Sequence, residues 1–215
     1  MKVSKKVAGV EYAIRDIVSA AREIEKQGKT VDYLNIGDPV QFGFQPPENV
    51  KRALINAVND GNNFYTQSEG LPELLNAIAK KENSKGLSIS SEHVIVTNGV
   101  SEGLDMVISS IVEDGDEVLL PGPYYPPYAS YVRLHGGKPI EFEVDLETSQ
   151  PNIDDLKSKI SSKTVGICLI TPNNPTGLIF NEKSLKEIVD IANEHDLYII
   201  CDEIYDKIVF DEKFT

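Results

Sequence analysis

The sequence predicts an α/β fold: a three-layer α/β/α arrangement around a mostly parallel sheet, preceded by an N-terminal helical segment. From about residue 94 onward, short apolar runs rich in β-branched residues alternate with longer segments whose apolar residues recur every three to four positions. The first pattern is typical of buried strands and the second of amphipathic helices. Strands and helices that alternate along a chain favour parallel strands joined by right-handed crossovers.

The predicted elements follow from these two periodicities. In the first part of the chain they are helices over residues 11–26, 47–58 and 71–81 and a short strand at residues 34–36. The later strands are predicted at residues 94–97, 117–120, 140–144, 165–170 and 197–200, and the later helices at residues 100–112, 126–134, 152–160 and 181–195. Asn181 has the residue type and position of a helix N-cap. Because the strand at 140–144 is apolar only on alternate residues, we expect it at an edge of the sheet.

Composition and charge exclude several classes of protein. A chain of 215 residues can bury roughly 70% of its unfolded surface, and its net charge of −13 argues against nucleic acid or an anionic membrane as a partner. No apolar run reaches the length of a membrane span. Cys168 and Cys201 both lie inside predicted buried strands, which favours small core residues with free thiols and a reducing cytoplasm. The three histidines are scattered, so no metal site is predicted.

Polar residues follow two of the predicted buried strands. Residues 171–177 (TPNNPTG) and residues 201–205 (CDEIY) each begin where an apolar run ends. Ligands of open parallel sheets bind beyond the carboxyl ends of the strands. We therefore expect the side chains of Asn174, Asp202 and Tyr205 to converge at one edge of one sheet.

This ordered set of motifs resembles the class I/II aminotransferases, which are fold-type I enzymes dependent on pyridoxal 5′-phosphate. An isolated Asn-Pro-Thr-Gly would indicate only a turn, but its combination with a later Asp-Glu-x-Tyr is specific. The resemblance covers essentially the whole chain. It implies an N-terminal arm and part of a small domain over residues 1–45, and the first part of the large cofactor-binding domain over residues 46–215. It also implies amino transfer between an amino acid and a 2-oxo acid by a homodimer.

The resemblance implies catalytic roles for three residues at the sheet edge. Asp202 aligns with the carboxylate that pairs with the pyridine nitrogen of the cofactor and keeps it protonated. Asn174 and Tyr205 align with the residues that donate hydrogen bonds to the phenolate oxygen of the cofactor.

Further contacts to the cofactor are implied at two other motifs. Gly99, Val100 and Ser101 lie between a predicted strand and helix, where backbone N–H groups and a hydroxyl can bind the phosphate. Tyr125, in the proline-rich residues 121–128, aligns with the aromatic residue that stacks on the cofactor ring. Its neighbours Tyr124 and Tyr128 are interpreted as packing residues.

Two residues nearer the N-terminus resemble further family positions. Tyr65 aligns with a tyrosine that reaches the cofactor phosphate of the neighbouring subunit, which implies a homodimer. Gly37 resembles the glycine whose backbone N–H meets the substrate carboxylate, although an ordinary turn glycine before Asp38 and Pro39 remains an alternative.

The resemblance leaves the reaction partly open. A carbon–sulfur lyase on the same fold would share these motifs, and a non-catalytic fragment that binds a ligand or a partner chain is a further alternative. The amino acid substrate stays open among alanine, aspartate and aromatic amino acids.

The family's Schiff-base lysine and carboxylate-binding arginine are expected beyond Thr215. By the resemblance, the chain is therefore the N-terminal portion of an aminotransferase and inactive alone. We also expect the strand at residues 94–97 to be separated within the sheet from the strand at 197–201 by strands from later sequence, so that an edge is left unpaired.

Overall fold

The computed structural model describes residues 4–8, 13–34 and 37–210. The chain forms two compact units, one made of Met1–Arg15 with Gly99–Thr215 and one made of Asp16–Asn98. The helices, in chain order, are α1 (Lys5–Ala8), α2 (Ala13–Lys26), α3 (Glu48–Asn59), α4 (Pro72–Asn83), α5 (Val100–Ile111), α6 (Pro127–Leu134), α7 (Ile153–Ser158) and α8 (Glu182–Glu194). The strands are β1 (Glu117–Gly122), β2 (Lys138–Asp145), β3 (Gln150–Pro151), β4 (Thr164–Ile170) and β5 (Tyr198–Asp202).

The unit that contains residues 99–210 is built on one five-stranded sheet of order β3-β2-β1-β4-β5. Four strands, β2, β1, β4 and β5, run parallel to one another. The two-residue β3 pairs antiparallel with the end of β2. The predicted α/β fold with a mostly parallel sheet is confirmed.

Both faces of this sheet are covered by helices, because successive residues of the central strands point to opposite sides. On β1, Val118 and Leu120 pack with α5 and α6 in one core, whereas Leu119 packs with α7 and α8 in the other. On β4, Cys168 joins the first core and Ile167 the second. This two-sided packing explains why the sequences of β1 and β4 are continuous apolar runs.

Side chains cap the helices that cover the second face. Asn181 precedes α8, and its side-chain oxygen accepts a hydrogen bond from the backbone N–H of Ser184 at 2.8 Å. Asn152 caps α7 in the same way through the N–H of Asp155 at 3.1 Å. The N-cap predicted at Asn181 is confirmed.

The unit that contains residues 16–98 has a small core. Leu75 and Ala79 of α4 pack with Val94, and Ile78 and Ile89 border this cluster. Helix α3, by contrast, has no buried residue.

The strand predicted at residues 94–97 is wrong, because these residues belong to no helix or strand. The N–H of Val96 donates instead to the carbonyl oxygen of Glu69 at 2.8 Å. At the predicted strand 34–36, Leu34 is in neither kind of element, while residues 35 and 36 lie outside the described residues, as do the first two residues of the predicted helix 11–26.

Two predictions about the sheet edges also need correction. The strand predicted at 140–144, observed as β2, is bordered by β3, so it is the second strand and not the outermost one. The predicted full burial of the strand at 197–200 is wrong, since Tyr198 is 62% exposed and Cys201 is exposed as well. The reason is that β5 ends the order of the sheet and pairs with β4 alone among the described strands.

Candidate active site

The candidate site lies at the carboxyl edge of the parallel strands. Ile170 at the end of β4 is paired with Asp202 at the end of β5. Beyond that pair, the N–H of Thr171 donates to the carbonyl oxygen of Asp202 at 3.1 Å. The motifs at residues 171–177 and 201–205 therefore meet at one edge of the sheet, where the sequence analysis expects them.

A buried asparagine holds the loop 171–177 in shape. The Oδ1 atom of Asn173 accepts hydrogen bonds from the N–H and the hydroxyl of Thr176, at 3.2 and 2.9 Å. Its Nδ2 atom donates to the carbonyl oxygen of Pro123 at 3.2 Å. Because Pro123 belongs to the loop after β1, Asn173 ties that loop to the loop that carries Asn174. The sequence analysis gave Asn173 no role.

Asn174 and Tyr205 line the same cavity, which has a volume of about 290 Å³. Both residues are half-buried. The other lining residues are Pro172, Asn173, Pro175, Gly177, Ile208 and Phe210. An amide and a phenol that share a cavity can both donate to one anionic oxygen of a ligand.

Asp202 lines a second cavity, of about 320 Å³, together with Val100 at the start of α5. It is not among the residues that line the first cavity. The structure thus brings Asn174 together with Tyr205, and Asp202 together with Val100. Contact of a single ligand with Asn174, Asp202 and Tyr205 at once stays a prediction.

Two uncharged donors hold the carboxylate of Asp202. Its Oδ1 atom accepts from the backbone N–H of Ile204 at 3.0 Å, and its Oδ2 atom accepts from the hydroxyl of Tyr128 at 2.5 Å. Hydrogen bonds to an ionised acceptor are short and strong. Because neither donor carries a positive charge, the carboxylate keeps its negative charge available for a cationic group in the cavity.

Tyr128 contacts the candidate site in a way that the sequence analysis did not foresee. It belongs to α6, is only 1% exposed and packs in the core that α5 and α6 share, but its hydroxyl also bonds Asp202, so its interpretation as a packing residue is incomplete. Burial, followed by the hydrogen bond from its hydroxyl and the charge of Asp202, raises the pKa of Tyr128 far above its ordinary value. The hydroxyl therefore stays neutral and acts as the donor.

The N-terminus of α5 has the geometry expected of an anion-binding turn. Gly99 is the N-cap with φ +77°, a left-handed conformation that favours glycine. Val100 and Ser101 follow in the first turn, and both are exposed. The first N–H groups of a helix point outward along its axis and favour negative charge.

The remaining predicted residues lie in three other places. Tyr125, in the loop between β1 and α6, is half-buried and packs against the core that contains Tyr128. In the unit of residues 16–98, Tyr65 is fully exposed and Gly37 is exposed. The roles implied for these residues stay predictions.

Neither a metal centre nor a membrane span is found in the part of the chain that the structure describes. No three His, Cys, Asp or Glu side chains among these residues are grouped so as to hold a metal ion. No described helix is long and apolar enough to cross a membrane.

A mostly parallel sheet with Asp202 at the end of one strand, and Asn174 and Tyr205 in the loops that follow two strands, is the architecture of fold-type I enzymes dependent on pyridoxal phosphate. The family model for aminotransferase class I and II matches residues 30–215, and the chain belongs to this family.

Relatives and solved structures agree with this assignment. The chain is 40% identical over 211 residues to the glutamate-pyruvate aminotransferase AlaA of Haemophilus influenzae, an alignment that covers 97% of this chain and 52% of the relative. The structure of an alanine aminotransferase from Pyrococcus furiosus superimposes with a TM-score of 0.96 at 47% identity, covering 99% of this chain and 55% of that one. An aspartate aminotransferase from Thermus thermophilus gives a TM-score of 0.91 at 32% identity, covering 100% and 56%. The chain therefore spans about half the length of the proteins it matches.

Proposed function

We propose that this protein is an aminotransferase that uses pyridoxal 5′-phosphate to move an amino group between an amino acid and a 2-oxo acid. The observation that carries the proposal is the carboxylate of Asp202. It stands at the end of β5, is held by two uncharged donors, and faces a cavity that it shares with the N-terminus of α5. A cofactor with a cationic ring nitrogen at one end and a phosphate at the other needs these two features together.

The donor set fits this cofactor at each of its polar groups. Asp202 would hold the protonated ring nitrogen. The first turn of α5, with Gly99, Val100 and Ser101, would bind the phosphate. Asn174 and Tyr205 would donate to the phenolic oxygen of the ring.

Bound pyridoxal phosphate supplies a ring that takes up the electron pair left when the α-proton of the amino acid departs. The task of Asp202 is to keep a proton on the ring nitrogen, because the charge of its carboxylate favours the protonated form. Tyr125 would stack on the ring and limit its tilt.

A homodimer would complete the site. The exposed hydroxyl of Tyr65 is proposed to reach the cofactor phosphate bound to a second copy of the chain, and the backbone N–H of Gly37 to bind the substrate carboxylate. The proposed division into an arm with part of a small domain, residues 1–45, and the first part of the large domain, residues 46–215, rests on the same resemblance. The thiols of Cys168 and Cys201 are both free, which supports a cytoplasmic location.

The proposed substrates are alanine and glutamate with their 2-oxo acids. The support is the similarity to proteins named glutamate-pyruvate aminotransferase and alanine aminotransferase, at 40% and 47% identity.

The test is an amino-transfer assay with the full-length protein. Incubation with alanine and 2-oxoglutarate should form pyruvate and glutamate at a rate that depends on added pyridoxal 5′-phosphate. Aspartate and phenylalanine as amino donors serve as the specificity comparison. A parallel incubation with cysteine tests the alternative: cofactor-dependent release of pyruvate, ammonia and sulfide from cysteine, with no glutamate formed from alanine and 2-oxoglutarate, would contradict amino transfer and favour an elimination reaction.

A further inference from the structure

The hydrogen bond from the Tyr128 hydroxyl to the Asp202 carboxylate joins two parts of the chain that are distant in sequence. Tyr128 lies in the first turn of α6, and Asp202 ends β5, 74 positions later. Tyr128 is almost fully buried in the core cluster that also contains residues of α5 and Cys168 of β4, so its position is set by the packed core. A hydroxyl fixed in this way presents its proton at one defined point.

This geometry restricts the side chain of Asp202 in both directions. The Oδ1 atom is held from its own turn by Ile204, and the Oδ2 atom is held from the core by Tyr128. Each carboxylate oxygen can accept more than one hydrogen bond, so both retain acceptor capacity for a ligand. The carboxylate is therefore oriented by the protein alone.

A purely structural explanation would treat Asp202 as the partner that a buried phenol needs. A backbone carbonyl could meet that need, whereas a partly buried carboxylate adds the penalty of removing a charge from water. A charge placed here is consistent with a binding role for the charge itself.

We propose that Tyr128 is a positioning residue, which fixes the carboxylate of Asp202 so that the ring nitrogen of the cofactor meets a preoriented partner. The inference rests on the proposed function. The unfavourable free energy of orienting and ordering the carboxylate then arises during folding and not during binding.

The test measures binding and needs no turnover. In the full-length protein, the affinities for pyridoxamine 5′-phosphate and for its 1-deaza analogue, in which C–H replaces the ring nitrogen, are compared by calorimetry. The ratio of the two affinities isolates the contact at the ring nitrogen. The wild-type protein should favour pyridoxamine phosphate, and Tyr128→Phe should reduce that preference about tenfold, the size expected for the loss of one hydrogen bond to a charged group.

Two further variants separate the possible outcomes. Tyr131→Phe removes the hydroxyl of another tyrosine of α6, which packs against the same core, and should leave the preference unchanged. Asp202→Asn should abolish the preference, and adding Tyr128→Phe in that background should have no further effect.

The outcomes distinguish the two proposals. If Asp202→Asn keeps the full preference, the contact at the ring nitrogen is absent and the proposed function fails. If Asp202→Asn abolishes the preference but Tyr128→Phe leaves it unchanged, only the positioning role fails. A lower melting temperature of Tyr128→Phe with an unchanged ratio would likewise indicate a structural role alone.

A second measurement covers the case in which Tyr128→Phe does not fold. Crystal structures of the wild-type protein with and without pyridoxamine 5′-phosphate should show the same Asp202 rotamer and the same hydrogen bond from Tyr128. An Asp202 side chain that turns toward the ligand only on binding would overturn the proposal.

Discussion

Residues 99–210 bury their apolar residues on both faces of a sheet, whereas residues 16–98 bury few of theirs. Val118, Leu119 and Leu120 on β1 are each fully buried. Helix α3 has an apolar stripe at helical spacing, yet its Leu54 is 67% exposed and the helix has no buried residue. The comparison shows that periodicity predicts a helix reliably, but burial depends on whether the fold supplies a surface for the stripe to pack against.

The largest effect expected from this difference is in core packing. Phe142→Ala in β2 should lower the free energy of unfolding by about 3–5 kcal/mol, because it removes a fully buried ring and leaves a cavity. Leu54→Ala in α3 should change it by about 0.5 kcal/mol or less. Urea denaturation of both variants measures the two values. Equal losses would mean that the apolar stripe of α3 is packed as tightly as the sheet.

A smaller loss is expected where one polar side chain joins two loops. Asn173→Ala removes three side-chain hydrogen bonds made by a buried residue and leaves the carbonyl oxygen of Pro123 without this donor. We expect a loss of about 2 kcal/mol. Asn193→Ala, at an exposed position of α8, is the matched control and should be nearly neutral. A neutral effect of Asn173→Ala would show that the loop keeps its shape without this side chain.

A side-chain cap should add about 1 kcal/mol to the free energy of unfolding at α8, in the region 99–210, and none at α3, in the region 16–98. The start of α8 is capped by the side chain of Asn181, whereas Pro47 at the start of α3 makes no side-chain cap. Asn181→Ala should therefore lower the free energy of unfolding by about 1 kcal/mol, and Lys183→Ala, on the exposed surface of α8, by much less. Thermal unfolding monitored by circular dichroism provides both values; a loss at Lys183→Ala as large as that at Asn181→Ala would contradict a specific cap.

The smallest expected effect is a difference in how the two cysteines react with an alkylating reagent. Cys201 is exposed as a residue, but the protein removes its thiol partly from water, and this desolvation, with the nearby charges of Glu203 and Asp202, raises the pKa of the Cys201 thiol to about 11. Because the thiolate is the reactive form, the rate of alkylation of Cys201 by iodoacetamide should keep rising up to about pH 11. Cys168, buried in the core, should react only on unfolding.

The same raised pKa makes the free energy of unfolding depend on pH. Between the ordinary thiol pKa of 9.0 and about 11, the unfolded chain loses the Cys201 proton while the folded chain keeps it. Stability from this group is therefore complete below pH 9 and falls as the pH rises toward 11. An alkylation rate that levels off near pH 9 would contradict this behaviour.

The sequence predicted the sheet best where a strand is buried on both faces. The predicted bounds of β1 and β4 lie within two residues of the observed ones, because helices cover both of their faces and continuous apolar runs mark them. The two-residue β3 has too few residues for any periodicity. The apolar run at residues 94–97 predicted a strand that is absent, since β-propensity cannot indicate whether a neighbouring strand is present to pair with.

The residues of the candidate site also fall into those that the sequence predicted and those that it did not. Asn174, Asp202 and Tyr205 were predicted because their motifs follow strands, and the structure places those motifs at one edge of the sheet. Tyr128 could not be assigned, because an aromatic residue after two prolines gives no sign of which carboxylate, 74 positions later, its hydroxyl will meet. Asn173 was missed because its hydrogen bonds are made within and between loops.

The central claim, that Asp202 is the charged partner of the cofactor, is tested most directly by amino transfer in the full-length Asp202→Asn variant. The asparagine amide carries no negative charge to keep the ring nitrogen protonated. Asp190→Asn, at an exposed position of α8, is the control for removing one carboxylate. We expect kcat to fall about 10²-fold or more in Asp202→Asn, the size seen when one preorganised electrostatic partner is removed, and to stay at the wild-type value in Asp190→Asn. Wild-type turnover in Asp202→Asn, with pyridoxal phosphate bound, would contradict the account.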